Sequence, residues 1–318
     1  MKYKARIGIY RHLGQLHRNL GRNEMIHKLI YGMKLLLGRD TPGRNLTVRE
    51  DDVFISSYPK SGNTWTRFLV ANLIHPQEAV TFLNIDHIVP DPDLRSRNFL
   101  KNCPRPRVMK SHHPFDPRYK RVICIVRDPR DVALSQYHFQ IKRGLIKTGH
   151  PMEEFVQRFV AGETNEYGSW GQNVGSWLIA RHHTPGFLLL RYEDLKERPE
   201  EGLAQIAGLL GLEVDGGQLA RAVELSSADR MRKLEKLQAG KWASTRETRK
   251  DLAFVRSAVA GEWKSGLPHD AVAQIERAWG HIMRVLGYET VTTATTAHGE
   301  GNPIPLALME IPLNDVRT

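Results

Sequence analysis

Two kinds of apolar run alternate along this chain. Short unbroken ones, Val53-Phe54-Ile55, Val122-Ile123-Cys124-Ile125-Val126 and Phe187 to Leu190, show no polar alternation. That is the pattern of strands covered on both faces. Val108-Met109 is a shorter and weaker instance. Elsewhere apolar residues recur every three or four positions, which predicts a helix from Trp65 through Phe68, Leu69 and Leu73. The same spacing predicts helices over 152–160, 174–181, 200–210, 218–225 and 271–286. Strands and helices taken in turn predict an α/β domain with a central, mostly parallel sheet flanked by helices in three layers.

The ends differ from the middle. Residues 1–45 are rich in Lys, Arg and His, with Ile26, Leu29, Ile30, Met33 and Leu37 at helical spacing, and Gly38, Pro42 and Gly43 close this arm. A basic amphipathic helix suits a membrane surface or an acceptor, and the favoured reading is a helix packed on its own domain or on a second subunit. The Thr/Ala/Gly/Pro mixture after Glu289 predicts a poorly ordered tail in which Ile304 to Leu308 could dock. The expected organisation is a basic arm over 1–45, one domain over 46–289 and a tail over 290–318.

Composition narrows the class. The 318 residues suffice for one large core, and no Gly/Ser- or Pro-rich linker divides them. Cys103 and Cys124 make no disulfide framework, and Cys124 lies inside an apolar run as a small core residue. No signal pattern opens the chain and no apolar run approaches the length of a bilayer span, so cytoplasm is the expected compartment. The formal net charge of +11 favours polyanionic partners. No DNA- or RNA-binding motif accompanies it, so nucleic acid is not the expected partner.

Candidate chemistry gathers at three places. Pro59-Lys60-Ser61-Gly62-Asn63 joins a strand to a helix, whose first amide groups lack partners and point at one spot. Gly62 allows close backbone approach, Thr64 adds a hydroxyl and Lys60 a full charge. The usual nucleotide loop needs Lys after its second glycine, whereas Lys60 precedes Gly62. As a bare pattern this is either an anion cradle or a structural loop. Next, Arg127 stands where the strongest strand ends. Asp128 suits an N-cap, Pro129 the first helical position, and Ser135 lies about two turns along. Arg127 either grips an anion at the sheet edge or pairs with the local aspartates. Last, Lys110-Ser111-His112-His113-Pro114 offers two candidate bases of suitable pKa. No carboxylate or Cys completes a metal site there, and none is expected. His182-His183 reads as a solvated helix end.

Taken together, these segments resemble the cytosolic-type sulfotransferases that use 3′-phosphoadenosine 5′-phosphosulfate (PAPS). Tyr58 to Trp65, YPKSGNTW, is similar to their 5′-phosphosulfate loop, with Asn63 where the family usually has a second Thr. Asn keeps a side chain able to bond an anion. Arg127 to Phe139, RDPRDVALSQYHF, is similar to their 3′-phosphate motif, in which the matching Arg and Ser hold that phosphate. The family's Lys-Thr-His appears as Lys110-Ser111-His112, which implies His112 as the base and counts Lys110 and Lys60 with the catalytic set. Tyr192, in Tyr192-Glu193-Asp194, and Trp65 are then adenine-pocket residues. Arg256 to Lys264, RSAVAGEWK, is similar to Arg-Lys-Gly-x-x-Gly-Asp-Trp-Lys, with Ser257 and Ala258 in place of Lys and Gly. Arg256 and Gly261 are thereby expected to remain ligands in a weaker loop. The family's dimerisation segment is not recognisable after Lys264, which leaves oligomeric state open.

The resemblance covers about Val53 to Leu267 and implies the P-loop-like sulfotransferase fold. It implies transfer of a sulfuryl group from PAPS to a hydroxyl or amine of a small or lipid-like acceptor, with adenosine 3′,5′-bisphosphate (PAP) as product and no metal. Lys60, Ser61, Gly62, Asn63, Thr64 and Trp65 would hold the 5′ end, and Arg127, Ser135 and Arg256 the 3′-phosphate. The basic arm favours an amphiphilic or anionic acceptor and allows peripheral membrane contact. The rival readings are a small-molecule kinase needing Mg²⁺ and a complete Walker lysine site, or a non-catalytic module for membranes or partners.

Overall fold

A computed structural model describes residues 46–292. The basic arm over 1–45 and the Ile304 to Leu308 segment lie outside the described residues. The sheet has four strands: β1 (Val53–Ser57), β2 (Val108–Ser111), β3 (Arg121–Val126) and β4 (Phe187–Arg191). Their order is β2-β1-β3-β4 and every pairing is parallel, as expected for runs without polar alternation. β2, weak in the sequence, extends to Ser111, with Ile55 opposite Lys110 and Ser56 opposite Ser111.

Period-two geometry sorts the strand residues onto two cores. Phe54, Met109, Val122, Cys124 and Val126 enter one apolar cluster, while Val53, Ile55, Val108, Ile123 and Ile125 enter the other. Helices cover both faces, which gives the three layers. After β1 come α1 (Asn63–Ile74), α2 (Ile85–Ile88) and α3 (Arg97–Asn102). After β3 come α4 (Pro129–Lys142), α5 (Met152–Val160) and α6 (Trp170–Arg181). After β4 come α7 (Tyr192–Glu197), α8 (Pro199–Leu210), α9 (Gly216–Leu225), α10 (Ala228–Gln238), α11 (Trp263–Gly266) and α12 (His269–Val285). Phe155, Phe159, Trp170 and Trp177 fill the first cluster with α12, and Phe68, Leu69 and Leu203 help fill the second. Burial alone pushes the Cys124 thiol up to about 12, in keeping with an inert core residue.

Local rules account for the differences from the expected boundaries. α6 starts four residues before Val174 because Ser169 and Gln172 form a capping box. α10 has only a short apolar set to announce it: Met231 is buried, Leu234 packs against the second cluster and Leu237 is exposed. The helix before His182 does end there; His183 is exposed, as expected of a solvated end, while His182 is half-buried. The first tail residues are docked, since the amides of Val291 and Thr292 donate to the Glu276 carboxylate at 3.1 and 2.8 Å.

One buried ion pair ties the sheet's amino-terminal end together. Arg107, just before β2, bonds both carboxylate oxygens of Asp52, just before β1, at 2.7 and 2.5 Å. The chemistry lies at the opposite end.

Candidate active site

The carboxyl ends of four adjacent strands present the candidate residues side by side. β2 ends at Ser111 and leads to His112, β1 leads to Lys60, β3 to Arg127 and β4 to Tyr192. From β1 the chain turns one way to β2 and then crosses to β3 on the other flank, so β1 and β3 border the crevice where such sheets bind ligands.

The Lys60 turn has the features of an anion cradle. Gly62 is the N-cap of α1 with φ +96°, and no side chain caps the helix, so its first amides have no intrahelical acceptor. A Cβ on Gly62 would lie 2.4 Å from Cδ2 of Tyr192, so glycine is required by both backbone and space. Asn63 behaves differently from expectation. Its side chain turns into the sheet, where Nδ2 donates to the Ile55 carbonyl at 3.0 Å and the Ser57 hydroxyl at 3.1 Å. The Nδ2 group thus braces the strand ends, while Oδ1 is buried without a partner. Ser61 Oγ is buried without a partner, and Thr64 is half-buried beside it.

Lys60 itself adopts φ +70°, and its ammonium lies 4.3 Å from the Phe139 ring centre and 4.5 Å from that of Phe254. Burial, then the charges of Arg127 and Arg256, push its pKa down to about 7. Neither ring figured in the expected site. Phe254 is seated by Glu235, whose carboxylate accepts the amides of Phe254 at 2.5 Å and Val255 at 2.8 Å.

Arg127 joins the turn to the C-terminal loop. Its guanidinium donates to the Lys60 carbonyl at 3.4 Å and the Val259 carbonyl at 3.1 Å, and reaches Asp131 at 3.4 Å. It also lies 4.4 Å over the Tyr192 ring. Arg127 Nε is buried with no partner. This atom and Ser61 Oγ are two unsatisfied groups in one cleft, as fits residues that complete their bonds on an anionic ligand. Of the two sequence-level options for Arg127, the pairing with a local aspartate is present, and its guanidinium also lines the cleft.

α4 carries the rest of this wall. Asp128 caps it, accepting the Arg130 amide at 2.9 Å, with Pro129 in the first turn as expected. Ser135 is half-buried and shares a helix face with His138 and Phe139. Phe139 covers Lys60, and burial and the Arg256 charge lower the His138 pKa, so this face looks onto both cations. Arg256 is held by the Glu262 carboxylate, Nη2 to Oε2 at 2.5 Å with Nη1 on Oε1. Gly261 has φ +78°, and its amide donates to Asp131 at 2.7 Å. Asp131 also accepts the Trp263 amide at 2.9 Å, a clamp that its place in a first helical turn did not announce.

The two aromatic candidates divide. Tyr192 is buried, its ring backing Gly62 and Arg127. Trp65 is half-buried, meets Tyr192 edge to face at 5.7 Å, and donates its Nε1–H to the Ser226 carbonyl at 3.1 Å.

On the β2 side, Nδ1 of His112 lies 2.7 Å from the Ser57 carbonyl oxygen. Burial, then the Lys110 charge, lower its pKa to about 3. Lys110, expected in the catalytic set, bonds Asp91 at 2.5 Å. Burial raises the Asp91 pKa, but the Lys110 charge and hydrogen bond, with the charges of Arg67 and His112, together outweigh it and the net direction is down. His113 faces Asp93, with Nε2 3.1 Å from a carboxylate oxygen. Tyr167 stands edge-on to both imidazoles, at 5.5 and 5.3 Å. Asp91, Asp93 and Tyr167 carry no local pattern that would have singled them out in the sequence.

Comparison with known proteins agrees with this architecture. The family profile described as the sulfotransferase domain matches residues 50–287. Sulfotransferase 1A1 of Bos taurus is 32% identical over 250 residues, spanning 74% of this chain and 83% of that protein. Sulfotransferase 1B1 of Canis lupus familiaris is 30% identical over 245 residues, spanning 72% and 81%. Retinol dehydratase, solved in complex with androsterone and the inactive cofactor PAP, superposes with a TM-score of 0.63 at 20% identity, over 83% of this chain and 88% of that one. At that identity the likeness concerns the fold. Among the described residues no helix is long and apolar enough to cross a membrane. Motif, sheet order and sequence relationship agree, and the chain belongs to the sulfotransferase domain family.

Proposed function

We propose that this sulfotransferase moves the sulfuryl group of PAPS to a hydroxyl or amine of a small amphiphilic acceptor, releasing PAP. The observation that carries the proposal is Arg127 donating to the Lys60 carbonyl, which brings both anion-binding segments into one cleft. PAPS, when bound, supplies an activated sulfur joined to a good leaving phosphate.

The protein's own groups do the rest. The turn amides, Ser61 and Thr64 bind the 5′ end, and Arg127, Ser135 and Arg256 the 3′-phosphate, with Trp65 as the accessible aromatic surface for the base. His112 Nε2 takes the acceptor proton as the acceptor oxygen or nitrogen bonds to sulfur. Lys60 meets the charge that develops on the phosphate oxygen as the sulfur–oxygen bond breaks. Lys110 and Asp91 act behind His112 as a fixed ion pair rather than as reactants. The relative solved with androsterone bears on acceptor class, since a hydrophobic alcohol suits the amphiphilic reading.

The test is a panel of phenols, aliphatic alcohols, glycolipids and amines incubated with PAPS, with PAP formation as readout. Turnover with any of them supports the reading. A folded protein that fails to bind PAP, measured by calorimetry, overturns it.

A further inference from the structure

The loop from Arg256 to Trp263 is anchored at several points, and one of its side-chain pairs is exchangeable. Arg232 donates to the Arg256 carbonyl at 3.2 Å and the Ser257 carbonyl at 2.9 Å. Arg127 holds the Val259 carbonyl, and Asp131 the amides of Gly261 and Trp263. These bonds brace the backbone from one end of the loop to the other. Above it, Glu262 grips both terminal nitrogens of Arg256 and accepts the Ser257 hydroxyl at 2.7 Å. The pair is partly exposed, with 32% of the Arg256 side chain and 23% of the Glu262 side chain reachable by solvent. A ligand can therefore replace it by rotating side chains alone.

We propose that Glu262 competes with the 3′-phosphate of donor and product for Arg256, and so governs how fast PAP leaves. The inference rests on the reading of the cleft given above. A carboxylate and a phosphate monoester offer the same paired acceptor geometry to a guanidinium, so binding exchanges one for the other. The exchange lowers affinity for 3′-phosphorylated ligands, and as PAP departs Glu262 re-forms its pair with Arg256. A nucleotide without a 3′-phosphate leaves the pair intact and is indifferent to it. Glu262 is thus a positioning residue acting through Arg256.

Calorimetry and stopped-flow with PAP, and calorimetry with adenosine 5′-monophosphate, test this on wild type and Glu262→Gln. The expected result is roughly threefold to tenfold tighter PAP binding with slower release, and unchanged affinity for the monophosphate. On an Arg256→Ala background the same change should have no effect, which a merely structural role would not predict. Ser257→Ala, which removes one support of Glu262, should shift PAP binding in the same direction by less, and serves if Glu262→Gln fails to fold. Wild type that binds PAP, with variants no tighter than it, overturns the inference alone. Wild type that does not bind PAP overturns the cleft reading and this inference with it.

Discussion

Nδ1 of His112 sits 2.7 Å from the carbonyl oxygen of Ser57, the last residue of β1. A carbonyl only accepts, so that nitrogen carries the proton and the lone pair is on Nε2. The bond fixes the tautomer a base needs, and it distinguishes His112 from His113, which faces the Asp93 carboxylate.

Replacing His112 with Ala should reduce turnover about a hundredfold or more while leaving PAP affinity close to wild type. Because the His112 pKa is lowered to about 3, the imidazole stays neutral on the acid side of neutrality. Initial rates with saturating donor should then show no acid limb centred near 6.5; a limb there that vanishes in His112→Ala would contradict the lowered pKa, and near-normal turnover in His112→Ala would contradict the assignment of the base.

Lys60 should make PAP binding depend on pH. Its free-state pKa of about 7 rises when an anion binds, so binding takes up a proton. Affinity is full below about pH 7 and falls as pH rises through it, by at most about tenfold per unit. Calorimetry from pH 6 to 9 measures this, and Lys60→Arg, which stays charged, should flatten the profile.

Gly62→Ala should damage the cradle. The new methyl would meet Tyr192 at 2.4 Å on a backbone with φ +96°, at a cost of about 1–3 kcal/mol. PAP affinity should drop about tenfold, as the helix amides move off their common point. Equal affinity by calorimetry would show that the turn does not hold the nucleotide.

Asp131→Asn leaves one amide oxygen, and an NH2 donor, where two carboxylate oxygens accepted the Gly261 and Trp263 amides. The predicted cost is about 1–3 kcal/mol in urea denaturation. PAP binding should weaken, while acceptor KM at saturating donor stays near wild type.

Arg107→Ala tests stability away from the cleft. It strands the fully buried Asp52 carboxylate, and the expected loss is about 3–5 kcal/mol in urea unfolding. PAP affinity of the folded fraction should be unchanged.

Much of this arrangement was legible in the chain. Unalternating runs such as Val122 to Val126 announce strands buried on both faces, and Asp128-Pro129 announces a helix start. Local rules suffice there because neighbours in sequence decide the outcome. They fail where partners are distant. Glu235 seating Phe254 over Lys60, and Lys110 held by Asp91, join residues with no shared pattern. Asn63 shows the same limit from the other side: the residue type suits an anion contact, but the strand end beneath it takes its amide.

The sheet order has a consequence for how this enzyme could diverge. The two cations of the proposed donor cleft follow the interior strands β1 and β3, whereas His112 follows β2, which has a single neighbour among the described residues. On the proposed reading, substitutions along that peripheral strand and its flanking loops can reshape what is sulfated while the nucleotide grip, locked between its neighbours, stays as it is.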